Sequence, residues 1–198
     1  MNLVERARNI LFNPKTEWNT IAGESATVGS LLTAYVVPLS LIPVIANIIN
    51  GLFWSGIGLF SLRFVIILAI GSFIKSLLMY VIAAYIVDLL AANFRSEKNI
   101  NRSAQLVAYA FTGYWVASIL GIFPILGWLA VIAGVSYSVF LMYLGVGPLK
   151  KTPEEQRIVY VVVSVVLVLV LMFVVTAIFN ALFLASSYGV GYWNLRRL

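Results

Sequence analysis

Residues 158–184 read IVYVVVSVVLVLVLMFVVTAIFNALFL. The run holds no charged side chain, and it exceeds the about 20 residues that an α-helix needs to cross the roughly 30 Å hydrocarbon core of a bilayer. In lipid the backbone N–H and C=O groups must be satisfied within the segment, so a single such run spans as a helix. The start of that helix is marked by Thr152, Pro153, Glu154 and Glu155, a capping box with proline at the first helical position. Val161, Val162, Val163, Val165 and Val166 are bulky and β-branched, which places this span on the outside of a bundle with much lipid contact.

Upstream, four more segments have the length and apolarity to cross: about 29–50, a stretch within 63–92, about 104–122 and about 125–146. The fold class that follows is all-α, a polytopic membrane helical bundle with five transmembrane helices. Composition agrees, with 62% hydrophobic and 10% charged residues against about 25% charged in soluble domains. Cysteine and histidine are absent from the sequence, which removes thiolate chemistry, the commonest metal ligand and the commonest general base. No catalytic residue, metal site or cofactor is expected. The formal net charge of +6 suits loops facing anionic lipid rather than nucleic acid. Residues 1–28 lack the apolar core of a cleavable signal peptide.

Basic residues set the direction. With the N-terminus inside, Arg6, Arg8, Lys15, Arg95, Lys98, Arg102, Lys150, Lys151 and Arg157 fall on the inner side, against Arg63, Arg196 and Arg197 outside. The positive-inside rule therefore predicts a cytoplasmic N-terminus and an external C-terminus. Three regions result: 1–28, a cytoplasmic amphipathic N-terminal segment; 29–185, the five-helix transmembrane domain; and 186–198, a short external tail.

The N-terminal segment sets Leu3, Val4, Ala7, Ile10 and Leu11 on one helical face and Glu5, Arg6, Arg8 and Asn9 on the other. The following NPKTEW starts a second helix, with Asn13 as N-cap, Pro14 at its first position and Glu17 in its first turn. Trp18 and Ile21 turn towards the headgroups or the bundle. The segment is an interfacial anchor, and Asn13, Pro14 and Trp18 are the candidate docking residues for a cytoplasmic protein.

Gly113, Ala117 and Gly121 recur four apart in the third span, and Ala130, Gly134 and Ser138 do so in the fourth. Small residues at this spacing let helix backbones approach closely in lipid. Gly121 and Ala130, Ala117 and Gly134, and Gly113 and Ser138 are each equidistant from the turn IFPIL, which predicts a tight antiparallel hairpin. The first span carries Pro38 and Pro43 and is expected to be kinked. GLFWSGIGLF, residues 51–60, is too short to span and reads as an interfacial or re-entrant segment anchored by Trp54.

Intramembrane charge is costly and marks candidate function. Only Lys75 and Asp88 qualify. Lys75 has no acid at its depth and is expected to snorkel outward or to meet backbone carbonyls and hydroxyls. Asp88, near the cytoplasmic end, is expected to pair with Lys150, Lys151 or a basic residue of the N-terminal segment.

NPKTEWNTIAGE, YVVPLSLIPVIA and the succession AYAFTGYW, LGWL, YLGVGP and KTPEE together resemble the bacterial branch of the Yip family. These are five-span proteins named for eukaryotic members that interact with Ypt/Rab GTPases, in which the N-terminal region is long; here it is about 28 residues. The resemblance covers about residues 13–184 and implies a non-catalytic scaffold or adaptor in membrane organisation or trafficking, in the bacterial inner membrane. The alternative from the residues is a small transporter or channel using Lys75, Asp88 and the kinked first span. The partners expected are the lipid bilayer, a cytoplasmic protein and, as an option, further copies in a homo-oligomer.

Overall fold

The computed structural model describes residues 2–54 and 62–195. The part of 51–60 beyond Trp54, where the re-entrant segment was expected, lies outside them. The described helices are α1 (Leu3–Phe12), α2 (Pro14–Ala22), α3 (Val28–Leu31), α4 (Val37–Trp54), α5 (Leu62–Leu90), α6 (Ile100–Ala110), α7 (Thr112–Ala117), α8 (Pro124–Lys150) and α9 (Glu154–Leu195). The structure is 90% helical, with no strand among the described residues. Five stretches are long and apolar enough to cross a membrane: Val28–Phe53, Val65–Phe94, Ile100–Ile122, Pro124–Lys150 and Glu154–Phe179. The protein is thus an all-α polytopic bundle. α9 continues as helix to Leu195, through much of the region expected as a tail.

The first span contains a π-helical turn, Leu32–Val36, in which the Val37 N–H reaches back to the Leu32 carbonyl. A proline lacks the N–H and its ring crowds the carbonyl four residues back. Widening the turn just before Pro38 relieves that conflict, and α4 then carries Pro43 in its interior.

The third span is broken without a proline. α6 ends at Ala110, α7 starts at Thr112, and a 3-10 segment, Ser118–Ile122, finishes the span. The amide released at the break is captured from outside the helix: the Tyr114 N–H donates to Ser138 Oγ at 2.9 Å. Tyr35 and Thr112 hydroxyls hydrogen-bond at 2.8 Å across the same level.

α7 and α8 pack as the predicted antiparallel hairpin. A Cβ built on Gly134 would lie 2.7 Å from the Ala117 Cβ, and one on Gly113 would lie 3.0 Å from Ser138 Oγ. The third pairing shifts. The backbone of Gly121 meets Gly127, at 3.1 Å from a Cβ built there, and a Cβ on Gly121 itself would meet Ala46 at 3.8 Å, not Ala130. The cause is the 3-10 segment, whose rise of about 2.0 Å per residue outruns the α-helical 1.5 Å and slides the register towards the tip. The Asn50 side chain ties this tip to the first span by donating to the carbonyls of Gly121 at 3.0 Å and Ile122 at 3.2 Å.

α4 packs on α5, α5 on α9, α9 on α8 and α8 on α7, and the third span returns to α4. α6 fills one end of this ring, with every residue from Ser103 to Ala110 buried. That end also receives α1 and α2 and the loops 95–99 and 151–153, and is called the capped end below. Its two loops begin at Arg95 and Lys151, both left-handed at φ 51°, and are clasped together. Ser96 Oγ and Thr152 Oγ1 are 2.8 Å apart, and the Glu97 N–H donates to the Lys150 carbonyl at 2.7 Å. Thr152 therefore does not cap α9 as the sequence suggested. Its hydroxyl turns back to the Val146 carbonyl at 3.1 Å, and the helix starts two residues later. Outside the capped end, large apolar side chains face outward, among them Ile125, Trp128 and Phe173, as a lipid-facing surface requires.

The hairpin makes a direct prediction. Gly134→Leu should lower the melting temperature in detergent strongly, since overpacking costs about 1–3 kcal/mol or more where neighbours are backbone. Cysteines at positions 117 and 134 should crosslink. A Gly134→Leu variant as stable as the parent would contradict the close approach.

Candidate functional site

The capped end gathers all seven acids and most of the basic residues, and one charge is buried most unexpectedly. Arg6 stands on the helical face of α1 that the sequence assigned to solvent, yet it is 5% exposed. α2 folds back over α1, and its Glu17 accepts from Arg6 Nη1 at 2.5 Å. Glu24, on the link to the first span, accepts from Nη2 with both oxygens, at 2.5 and 2.6 Å. The guanidinium carbon lies 5.5 Å from the Tyr109 ring centroid, a cation–π contact with α6. Burial alone would pull the Arg6 pKa down. The Glu24 hydrogen bond, with the charges around it, outweighs that and holds it above its ordinary value. A buried cation is tolerated only when paired and hydrogen-bonded, so α1, α2 and the link are held in one arrangement.

Apolar contacts complete the dock. Ile10, Trp18 and Ile21 are fully buried. Trp18 meets Tyr109 edge-on with centroids 6.3 Å apart. It also lies against Gly145 of α8, where a Cβ would come within 2.7 Å of the indole; only glycine leaves room. The indole N–H is buried without an acceptor. Tyr137 donates to the Leu11 carbonyl at 2.5 Å, and Arg102 and Gln105 donate to the Glu24 carbonyl at 2.9 and 3.2 Å. Asn13 does not cap α2: its side chain makes no cap bond, and its backbone, at φ −131° and ψ 50°, is the elbow between α1 and α2. Pro14 opens α2 as the sequence predicted.

Asp88 lies in a second buried cluster. Lys150 is fully buried, and its ammonium donates to Asp88 Oδ1 at 3.2 Å, to Ser103 Oγ at 2.6 Å and to the Asn99 carbonyl at 3.3 Å. All three ammonium protons are used. Ser103 also donates to Asp88 at 3.0 Å. The cluster joins α5, α6 and α8 through Asp88 Oδ1. Lys151, by contrast, meets Glu97 near the surface at 2.8 Å; that hydrogen bond is the main reason the Glu97 carboxyl sits below its usual range.

Lys75 is apart from both clusters. It lines a central cavity of about 340 Å³ that all five spans enclose, together with Ser40, Asn47, Ser76, Trp115 and Met172 among others. Neither a backbone carbonyl nor a hydroxyl meets its ammonium among the described residues, which leaves the outward snorkel of the two expected arrangements. Ser138, one of the small residues of the hairpin, also faces this cavity.

The fold and these sites define a helical multi-pass membrane protein whose polar groups serve docking and packing. Comparison with known families carries this further: the model of the Yip1 domain matches residues 8–190, and the chain belongs to the Yip family. No curated protein and no solved structure matches it.

The cap should melt with its cation. Arg6→Met leaves Glu17 buried without a partner, which should cost about 3–5 kcal/mol, and Trp18→Ala about 3–5 kcal/mol. Asn13→Ala should cost almost nothing, and Trp18→Phe should be well tolerated, because it removes the orphaned N–H. Denaturation in detergent checks the order; an Arg6→Met variant no weaker than Asn13→Ala would contradict the buried network.

Proposed function

We propose that this Yip-family protein is a non-catalytic scaffold or adaptor of the bacterial cytoplasmic membrane, oriented with the capped end inside. The observation that carries the reading is the ordered cap. α1 and α2 are folded onto the bundle, yet α1 leaves Val4 at 68% and Phe12 at 76% exposure on its outer side. Val4, Arg8 and Phe12 are four residues apart, so they form one stripe, and Lys15 follows on α2. An apolar side chain held outward on a rigid helix between two cations suits a protein partner with an apolar spot flanked by carboxylates. The inward orientation rests on the basic residues of the capped end, and the bacterial branch on the motif succession quoted above.

A second reading, a small transporter or channel, draws on the cavity at Lys75. Asp88 argues against it, because its Oδ1 is held by both Lys150 and Ser103 in a buried structural ion pair.

Two measurements test the proposal. Reporter fusions at Ser96 and Lys151 should read cytoplasmic; an external signal at either would reverse the orientation. A photocrosslinker at Phe12 in native membranes should yield one discrete protein adduct that Arg8→Glu abolishes. Crosslinking to lipid alone would replace the adaptor with a simple membrane anchor.

A further inference from the structure

The cavity around Lys75 has a graded wall. On α5 it is lined by Ser72, Lys75, Ser76, Met79, Ala83 and Val87, one helical face about 22 Å long at 1.5 Å per residue. The polar members are at the end away from the cap, and the apolar ones follow towards it. Asn47 of α4 lies at the polar end and is exposed. At the other end the wall closes on Val107 and Ala110 of α6, the helix that plugs the ring. The cavity exists because the third span breaks after Ala110: α6 fills the capped end, and α7 is drawn aside against α8 by the glycine contacts of the hairpin.

The polar end is short of partners. Among the described residues, Lys75, Ser76 and Asn47 make no hydrogen bond, and Lys75 no ion pair. No Asp or Glu side chain of the sequence lies at this end. The chain's seven acids are Glu5, Glu17, Glu24, Asp88, Glu97, Glu154 and Glu155. All are at the capped end, and the one on the same helix is taken by Lys150. An ammonium half-buried in an apolar wall needs an anion brought from outside. The cavity volume of about 340 Å³ falls within the about 300–1,000 Å³ usual for ligand sites, and sites of this kind form between the helices of bundles.

We propose that this cavity binds a single-chain anionic amphiphile of the fatty-acid class, its carboxylate on Lys75 with Ser76 and Asn47 beside it and its alkyl chain along Met79, Ala83 and Val87 towards α6. A small inorganic anion would leave the apolar length unfilled. A neutral acyl chain from the bilayer would leave the ammonium unpaired. This site is separate from the outward stripe on α1 and stands or falls independently of the adaptor reading.

The test uses the full-length protein in nanodiscs with a diazirine-bearing photoactivatable palmitate, the adducts mapped by mass spectrometry. Labelling should fall on cavity residues such as Met79 and Val168, and unlabelled palmitate should displace it. Hexadecanol, which lacks the charge, should compete about tenfold less well or worse. Lys75→Met should weaken labelling to a similar degree while melting like the parent, Lys75→Arg should retain it, and Ala83→Phe, which fills the apolar end, should abolish it. Equal competition by hexadecanol in the parent protein overturns the proposal whether or not the variants fold. Labelling confined to outward residues such as Ile125 or Phe173 overturns it as well.

Discussion

A single guanidinium under two short helices fixes the capped end of this protein. Stripping Arg6 of water is costly, and the surrounding charges must offset that cost. Glu17 comes from α2, Glu24 from the link to the first span and the aromatic face from Tyr109 in α6. Three separate pieces of chain are needed to satisfy one side chain, so none can shift alone. Arg102, which bonds the Glu24 carbonyl, extends the same network to the start of the third span. The N-terminal helices are therefore part of the folded unit.

The rest of the bundle is organised by two opposite demands. At the capped end, where water is near, charges are paired and buried: Lys150 with Asp88 and Ser103, Arg6 with its two glutamates. Through the bilayer no hydrophobic force holds helix to helix, and close packing must do so. Gly113, Ala117, Gly134 and Ser138 supply it for the third and fourth spans, to the point that Ser138 repairs the broken helix opposite. The break and the tight hairpin together open the space in which Lys75 stands.

How far the sequence revealed this depends on how local each signal is. The five spans were legible because each is a long, predominantly apolar run, and two of the three hairpin pairs because equal distance from a short turn means equal depth. The third pair failed where the helix tightened to 3-10. The break after Ala110 carries no proline; its traces are Gly113 just beyond it and a serine in the facing span. Arg6 was illegible for a deeper reason. A helical wheel assigns a polar face to water, and Arg6 is buried because α2 and Tyr109, remote in sequence, cover that face. Asp88 was readable as a paired residue because the acids and bases available at its depth are few. Asn13 had the composition of an N-cap, but the elbow between α1 and α2 gave its backbone another conformation.

The central claim is that α1 and α2 are locked onto the bundle through Arg6, and amide hydrogen exchange of the full-length protein in nanodiscs tests it most directly. The account predicts that the amides of residues 17–22 exchange as slowly as those of α6 between Gln105 and Ala110, and that Arg6→Met speeds the first set while leaving the second protected. Exchange of residues 17–22 at the rate of an unstructured peptide in the parent protein would contradict it.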